Sequence, residues 1–433
     1  MPRSTRRSFL QQTAAWGIGG GIFHIASRRG CAANDKINVA CIGVRGRGNS
    51  VMRSFAAEAD CDITHICDVR ESVRNQRGAE MKQSTGRMPT LVNDYRDLLN
   101  DKSIDAFMVA TPDHWHAMLT IEGCLAGKDV YVEKPASHNI LEGKTAVAAA
   151  RARDRMVQMG TQIRSAQFLK EAVDYVHSGA LGKVIYGKAW ETSRNGAMHL
   201  AADSEPPTGF DYEIWQGPAP ERAYNKTICG SGWRWLFDYG TGDLGNDGVH
   251  RIDYCRKVMG LDEMPRAITC AGGKFFFEDD QQWPDPMLIS YEYPGKVLQY
   301  EMRLWSKPKL HGAGEGATIY GENGWVMLNN TSWKAFDADG KLVKQGSSDV
   351  GQRAHIRNFL DAVRSRNRDS LNQEIYSGHV SSLMCHAGNI SWRTGKKLRL
   401  DAKTQTFDDD QANQLVGREH RKGFELPKLP DVA

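Results

Sequence analysis

The sequence lacks the features that would place it in several large classes of protein. After its N-terminal segment, none of its 433 residues form an apolar run long enough to span a bilayer. Its nine cysteines have neither Cys-x-x-Cys spacing nor the density of a disulfide framework, so we expect small buried hydrophobic side chains. There is no internal repeat, and no group of histidines and carboxylates has ligand spacing, so no metal site is predicted.

The sequence also has little net charge once its N-terminal segment is set aside. The formal charge is +4, and residues 1–33 contain five arginines and no acid, so the remainder carries a charge of −1. A nearly neutral protein gives no electrostatic reason to expect a nucleic acid partner.

The N-terminal segment has the pattern of a targeting signal. An Arg-Arg-Ser-Phe-Leu run at residues 6–10 precedes an apolar, glycine-rich stretch at 14–26. This pattern predicts a twin-arginine signal peptide over residues 1–33, a periplasmic or otherwise exported protein, and no stable membrane anchor. A flexible basic tail is the alternative, and Arg28 and Arg29 are untypical enough of a signal to keep it open.

The first predicted strand, at 36–42, is followed by a glycine-rich loop at 43–48. Asp68 ends the next strand, 20 residues after the last glycine of the loop, which is the spacing at which a carboxylate holds the adenosine ribose of NAD. The pyrophosphate would lie on the N-terminus of the intervening helix, predicted at 51–58. The loop residues that would bind the cofactor are Gly43, Arg45, Gly46, Arg47 and Gly48.

Two details of this motif leave alternatives open. Arg45 stands where the strict pattern has glycine, so either Gly46 lets the backbone compensate or the arginine contacts the pyrophosphate. Asp68 favours NAD because a carboxylate repels a 2′-phosphate, but Arg70 is close enough to leave NADP possible.

A second strand–helix–strand pattern brings a lysine to the same edge of the sheet. A buried strand at 106–110 precedes an amphipathic helix, and a strand at 130–132 runs directly into Lys134. A lysine at the end of such a strand can donate a hydrogen bond to a reacting oxygen, whereas the alternative is a surface lysine before a turn.

These motifs resemble those of the glucose-fructose oxidoreductase and inositol dehydrogenase family (Gfo/Idh/MocA). The resemblance rests on the glycine loop, Asp68, an Ala-Thr-Pro strand end, a Glu-Lys-Pro tripeptide and a "D-x-G-x-H-x-x-D"-like run at 246–253. It implies that Thr111, Pro112, His116, Glu133 and Lys134 contact the cofactor, and that Lys134 and His250 are catalytic together with Asn246, which replaces the usual aspartate.

The resemblance also implies the fold, an α/β plus α+β architecture. We expect a Rossmann dinucleotide-binding domain at 36–160 and a C-terminal domain at 161–433 with a large open, mainly antiparallel sheet that forms a homo-oligomer. Hairpin signals at 293–296, 322–324 and 337–340 agree with such a sheet, and helices are predicted at 355–363 and 378–394.

The predicted function is hydride transfer between tightly bound NAD and a secondary alcohol of a sugar, sugar derivative or cyclitol. Tryptophans crowded among glycines at 190–240 suggest a sugar-binding surface, and the alternative for each of them is that it pins a long loop onto the sheet. The residues assigned to substrate are Arg164, Trp233, Trp235 and Asp253, and we expect one of the two tryptophans to line the pocket. Two alternatives stay open: redox-neutral, NAD-dependent hydrolysis of a glycoside, and a cofactor-bound sugar-binding protein without turnover.

Overall fold

The computed structural model describes residues 36–193 and 195–429. The predicted signal peptide at 1–33 lies outside these residues, so its interpretation stays a prediction. Within the described part of the chain, no helix is both long and apolar enough to cross a membrane. The eight cysteines in this part are free thiols, and seven of them are buried, as expected.

The first half of the described chain forms a six-stranded parallel sheet with helices on its faces. The strands are β1 (Ile37–Ile42), β2 (Cys61–Cys67), β3 (Thr90–Val92), β4 (Ala106–Val109), β5 (Asp129–Val132) and β6 (Val157–Met159), and the helices are α1 (Gly46–Ala56), α2 (Glu71–Thr85), α3 (Arg96–Leu99), α4 (Asp113–Leu125) and α5 (Ile140–Ala152). The strand order is β3-β2-β1-β4-β5-β6, so the chain reverses direction across the sheet between β1 and β4. Ligands of doubly wound sheets bind at this reversal, beyond the carboxyl ends of the strands.

Local sequence signals explain where several of these elements begin and end. The Asn139 side chain caps α5 by accepting a hydrogen bond from the backbone N–H of Glu142, a role that asparagine often has at helix starts. Gly127 follows α4 with a φ of 83°, the left-handed conformation in which many helices end. Helix α1 begins at Gly46 rather than at 51, because the glycines that resemble a loop in sequence already form its first turn.

The second half forms a ten-stranded mixed sheet that is mainly antiparallel. Its order is β14-β13-β12-β11-β7-β10-β9-β8-β15-β16, for strands β7 (Val184–Thr192), β8 (Ala267–Gly272), β9 (Pro286–Tyr293), β10 (Lys296–Arg303), β11 (Glu315–Gly321), β12 (Gly324–Leu328), β13 (Ser332–Asp337), β14 (Leu342–Ser347), β15 (Leu398–Asp401) and β16 (Thr406–Phe407). The three predicted hairpins are confirmed, joining β9 to β10, β11 to β12 and β13 to β14. The β7–β10 pair is parallel, which the hairpin pattern did not predict.

Seven helices belong to this second half: α6 (Gln167–His177), α7 (Tyr212–Gln216), α8 (Lys226–Gly230), α9 (Val249–Val258), α10 (Gln352–Ser365), α11 (Ile375–Thr394) and α12 (Asp410–Asn413). Helix α9 packs on one face of the sheet, where a Cβ on Gly187 of β7 would meet Cys255 and Met259. A π-helical turn (Leu244–Gly248) leads directly into α9.

Helix α10 packs not on this sheet but on the first half of the molecule. The ring of Phe359 lies edge-on to Phe55 of α1, with centroids 6.0 Å apart. Arg353 and Arg357 form ion pairs with Glu58 just beyond the end of α1. The core of the parallel-sheet half is thus completed by a late segment of the chain.

Candidate active site

A cavity of about 320 Å³ lies at the carboxyl ends of the parallel strands, where the strand order reverses. Its walls include every residue that the sequence assigned to the cofactor, namely Gly43, Arg45, Gly46, Arg47, Gly48, Asp68, Thr111, Pro112, His116, Glu133 and Lys134. Trp233 and Asn246 from the second half of the chain line it as well. The structure therefore brings two stretches that are distant in sequence to one site.

The glycine loop is shaped for close approach. A Cβ on Gly43, whose φ is 78°, would lie 2.9 Å from main-chain atoms of Ala110 on the neighbouring strand end. A Cβ on Gly48 would lie 1.9 Å from the carbonyl oxygen of Gly43, so only glycine allows α1 to pack on the loop. A Cβ on Gly46 would meet nothing within 4 Å. The free N–H groups at the start of α1 suit a pyrophosphate in that open space.

Arg45 fits the loop without strain because its φ is −77°, a value that any residue adopts. Its guanidinium donates to the main-chain carbonyl of Cys229 at 3.2 Å, and the guanidinium of Arg70 donates to the same oxygen at 3.0 Å. Arg70 also lies over the ring of Phe210, 3.9 Å from its centroid. Both arginines therefore connect the nucleotide-binding loops to a segment of the second half.

The Asp68 carboxylate lies at the end of β2, buried beside the glycine loop. It accepts hydrogen bonds from the backbone N–H groups of Val44 and Arg70, each at 3.0 Å. Burial raises the pKa of Asp68, while these two hydrogen bonds act in the opposite direction. The placement matches a carboxylate that would accept from a ribose hydroxyl.

His116 connects the two strand ends that carry the Thr-Pro and Glu-Lys-Pro segments. One ring nitrogen lies 2.9 Å from the carbonyl oxygen of Thr111, and the other lies 2.7 Å from that of Pro135. In the same region, Glu133 accepts from Arg47 at 2.9 Å, which ties the end of β5 to the first turn of α1. These contacts hold Lys134 against the nucleotide-binding loop.

Lys134 meets the second half of the chain at Asn246. Its Nζ donates to the side-chain carbonyl of Asn246 at 3.0 Å, and it also donates to the main-chain carbonyl of the same residue. The amide nitrogen of Asn246 donates to Asp247 at 3.0 Å and to Asp243 at 3.4 Å. Asn246 thus uses its two ends to join a lysine to two carboxylates, which an aspartate could not do.

His250 lies one helical turn after Asn246, in the first turn of α9. The cavity walls include Lys134 and Asn246 but not His250. Burial, and then the charges of Lys134 and Arg251, hold the pKa of His250 well below its usual 6.5. Its Nδ1 is buried and has no hydrogen-bond partner among the described residues. A neutral imidazole with a free nitrogen is the form that can accept a proton.

Three residues that were assigned to substrate lie elsewhere. Arg164 and Asp253 form a bidentate ion pair with distances of 2.7 and 2.8 Å, and their side chains are only 4% and 2% exposed. Neither lines the cavity, and Trp235 packs against the main core rather than on the cavity wall. The structure gives the ion pair a packing role because each charge is already satisfied by the other.

The cavity walls contain two further residues, Asp113, to which no role was assigned from the sequence, and Arg234, one of the charged residues near the tryptophans of 190–240. Asp113 follows the Thr-Pro strand end, is buried, and accepts from the hydroxyl of Thr241 at 2.8 Å. Its position directly after Pro112 was the signal that could have identified it. Arg234 also lines the cavity, with its guanidinium 4.4 Å from the ring centroid of Trp233.

Comparison with known proteins agrees with this geometry. The model of an oxidoreductase family's NAD-binding Rossmann fold (Gfo/Idh/MocA) matches residues 37–161, and the model of that family's C-terminal alpha/beta domain matches 176–426. A "Glycosyl hydrolase family 109 protein" from a Shewanella species is 26% identical over 192 residues, which cover 38% of this chain and 42% of that protein. The chain thus spans less than half the length of this curated relative.

Two solved structures share the fold at low sequence identity. The WlbA dehydrogenase from Bordetella pertussis, in complex with NADH and UDP-GlcNAcA, has a TM-score of 0.65 and 16% identity, covering 84% of this chain and 99% of that one. A levoglucosan dehydrogenase, in complex with NADH and levoglucosan, has a TM-score of 0.66 and 16% identity over the same shares of the two chains.

Proposed function

Because the chain belongs to the Gfo/Idh/MocA oxidoreductase family, which joins an NAD-binding Rossmann fold to a C-terminal alpha/beta domain, we propose that it transfers a hydride between NAD and a secondary alcohol of a sugar, sugar derivative or cyclitol. The observation that carries the proposal is the position of Lys134. Its ammonium lies in the wall of the nucleotide cavity and is fixed there by Asn246 from the opposite half.

In the proposed reaction, the cofactor and three side chains have separate roles. Bound NAD would accept the hydride from the alcohol carbon. Lys134 would donate a hydrogen bond to the alcohol oxygen, and His250, held neutral by its low pKa, would take the hydroxyl proton on a ring nitrogen. Asn246 would orient Lys134 without neutralising its charge.

The substrate would enter beside Trp233 and Arg234. The indole of Trp233 suits the apolar face of a sugar ring, and Arg234 offers donors to its hydroxyls. The two solved dehydrogenases described above were crystallised with a nucleotide sugar and with levoglucosan, which supports a carbohydrate as the substrate class.

The cofactor would stay bound between turnovers. Residues 209–230 contact the loops around Asp68. The backbone N–H of Asp211 donates to the carbonyl of Val69. The carbonyl of Cys229 accepts hydrogen bonds from the guanidinium groups of Arg45 and Arg70. This segment would have to separate from the Rossmann domain before the adenosine end could leave, which slows dissociation.

A second candidate is redox-neutral hydrolysis of a glycoside, in which NAD is reduced and reoxidised within each turnover. The match to a glycosyl hydrolase family 109 protein favours it. The site chemistry is the same up to the first hydride transfer, so the difference lies in whether NADH accumulates.

The C-terminal sheet would join two copies of the chain. Tyr186, Tyr320, Trp325 and Phe336 are successive cross-strand partners on β7, β11, β12 and β13, with neighbouring ring centroids 4.2 to 6.1 Å apart. Tyr186 is adjacent to Gly187, which faces α9, so the rings lie on the opposite face of the sheet. Light scattering of the protein and of a Trp325→Lys variant tests this, and a wild-type monomer would contradict it.

The protein would be exported by the twin-arginine route. That pathway moves folded proteins, which suits a chain that must acquire its cofactor in the cytoplasm. The proposal rests on residues 6–10 of the sequence.

One experiment tests the main proposal. Purified protein, denatured to release any nucleotide, should yield close to one NAD(H) per chain. A panel of aldoses, cyclitols and aryl glycosides should then give NADH absorbance with at least one free alcohol. Release of aglycone without NADH would favour the hydrolase. If neither NADH nor aglycone is detected, both candidates are contradicted.

A further inference from the structure

Three carboxylates converge behind Asn246. Glu191 on β7, and Asp243 and Asp247 around the π-helical turn, each offer an oxygen within 4.8 Å of the oxygens of the other two. Glu191 and Asp243 are buried and Asp247 is half-buried. π-Helical turns often occur at functional sites, because they project an extra residue from the helix.

The cluster carries more negative charge than its neighbours balance. Arg251 is paired with Glu315 and lies 3.9 Å from Glu191, and Lys134 is the other cation whose charge bears on Asp243. Among the described residues, the carboxylates of Glu191, Asp243, Asp247 and Glu315 therefore share the charges of Arg251 and Lys134.

Several buried oxygens in this place have no hydrogen-bond partner among the described residues. They include Oδ2 of Asp243 and Oε2 of Glu191, the second of which lies 3.9 Å from Nε of Arg251, beyond hydrogen-bond distance. The fully buried hydroxyl of Tyr300 is a third, and it belongs to neither the turn nor β7. It lies where a Cβ on Gly248 would be only 2.6 Å away. Burial, and then the charges of Glu191 and Asp243, raise the pKa of this hydroxyl. A buried polar oxygen is costly to leave unpaired, so the group points to a ligand that uses all of them.

We propose that Glu191, Asp243 and Asp247 bind one divalent cation of the oxygen-preferring kind, Mg²⁺, Mn²⁺ or Ca²⁺. The donor set contains only oxygens, which selects these hard ions over zinc or copper. The ion would balance the surplus carboxylates and fix the turn that carries Asn246, so it would act on the position of Lys134 through that residue. The absence of ligand spacing in the sequence is explained by Glu191, which joins the two aspartates only through the sheet.

The first test is a metal titration of the wild-type protein. After exhaustive dialysis against a chelator, the full chain should be titrated with Mn²⁺ alone, and free Mn²⁺ followed by electron paramagnetic resonance. We expect one ion per chain with a dissociation constant below about 1 mM, within the range of carboxylate sites. An absence of binding at that concentration overturns the proposal, and leaves the carboxylates sharing a proton instead.

The variants locate the ion. Asp247→Asn, at the half-buried position, should weaken Mn²⁺ binding at least about tenfold. Glu191→Gln provides a second test if the first variant fails to fold. Asp62→Asn makes the same change on an ion-paired carboxylate of β2 and should bind as the wild type does. Equal binding by Asp247→Asn, Glu191→Gln and wild type would show an adventitious ion only.

This site goes beyond the proposed function and can fail separately from it. The titration needs neither cofactor nor substrate, so binding without turnover would support the site and count against the dehydrogenase. Turnover that persists in a protein unable to bind Mn²⁺ would do the reverse.

Discussion

The Nζ atom of Lys134 lies 3.0 Å from the side-chain oxygen of Asn246, across the boundary between the two halves of the molecule. The lysine remains uncompensated by this contact because an amide carries no charge. It is therefore available to a substrate oxygen in a way that an ion-paired lysine is not.

Lys134→Met should retain the fold and NAD binding but lose turnover. Removal of a positioned donor or acid typically costs on the order of a hundredfold to ten-thousandfold in rate. Steady-state kinetics and nucleotide content of the purified variant measure both properties. Lys170→Met, at an exposed position on α6, is the control and should behave as wild type. A Lys134→Met enzyme with normal kcat would remove the lysine from the mechanism.

His250 should control the acidic limb of the pH profile of kcat/KM. Because burial and neighbouring cations lower its pKa, the imidazole stays neutral below pH 6.5, and activity should decline only as the pH falls further. His250→Ala should abolish most turnover together with this limb, whereas His177→Ala on the surface of α6 should change neither. Asn246→Asp should move the limb to higher pH, since a carboxylate favours the imidazolium. If neither His250→Ala nor Asn246→Asp alters the acidic limb, the limb reports the titration of another residue.

Asp68 should set the preference for NAD over NADP. Calorimetry on nucleotide-free protein should show tighter NAD binding, and Asp68→Asn should change the ratio of the two affinities toward NADP by at least about tenfold. The reason is that the amide no longer repels a 2′-phosphate, while Arg45 and Arg70 remain beside it. Asp62→Asn on the same strand is the matched control. An unchanged ratio in Asp68→Asn would assign the choice to other residues.

Buried histidines should make the protein sensitive to acid. Burial lowers the pKa of His379 and His355 to about 4 and that of His114 and His386 to about 3, all from 6.5. Between pH 6.5 and about 4 the unfolded chain takes up protons that the fold rejects, so stability is lost as the pH falls through this window. Each such group contributes a slope of roughly 1 kcal/mol per pH unit.

Urea unfolding at several pH values measures this slope directly. His386→Gln should reduce it by the share of one histidine, whereas His177→Gln should leave it unchanged. A free energy of unfolding that is constant from pH 7 to 4 would contradict the burial of neutral imidazoles.

Export should depend on the arginine pair at residues 6 and 7. Changing both to lysine keeps the charge but removes the feature that the pathway reads. Folded protein should then remain in the cytoplasm, as measured by cell fractionation. Export that is unaffected by the double change would leave the basic-tail alternative.

The nucleotide half of the site could be predicted from the sequence because its signals are local. The glycine loop, Asp68 and Lys134 each stand at the end of a strand, and parallel strands bring their carboxyl ends to one edge. Helix starts such as Asn139 are equally local.

The other half could not be predicted in the same way. Arg164 and Asp253 carry suitable charges for a sugar, but only the packing shows that they neutralise each other. Glu191 meets Asp243 and Asp247 because α9 and its preceding turn pack on β7, a contact that no spacing encodes. Trp233 and Trp235 are two residues apart, yet only one lines the cavity, because the short helical turn that carries them directs them differently.

The docking of α10 on α1 sets an order for how the molecule can mature during synthesis. Phe359 and its neighbours leave the ribosome only after nearly the whole second sheet has been made, so the apolar side of α1 around Phe55 must wait for them. A chain released early would display that surface and be prone to aggregate. The dinucleotide-binding half can therefore complete its core only after strands β7 to β14 of the second sheet have been translated.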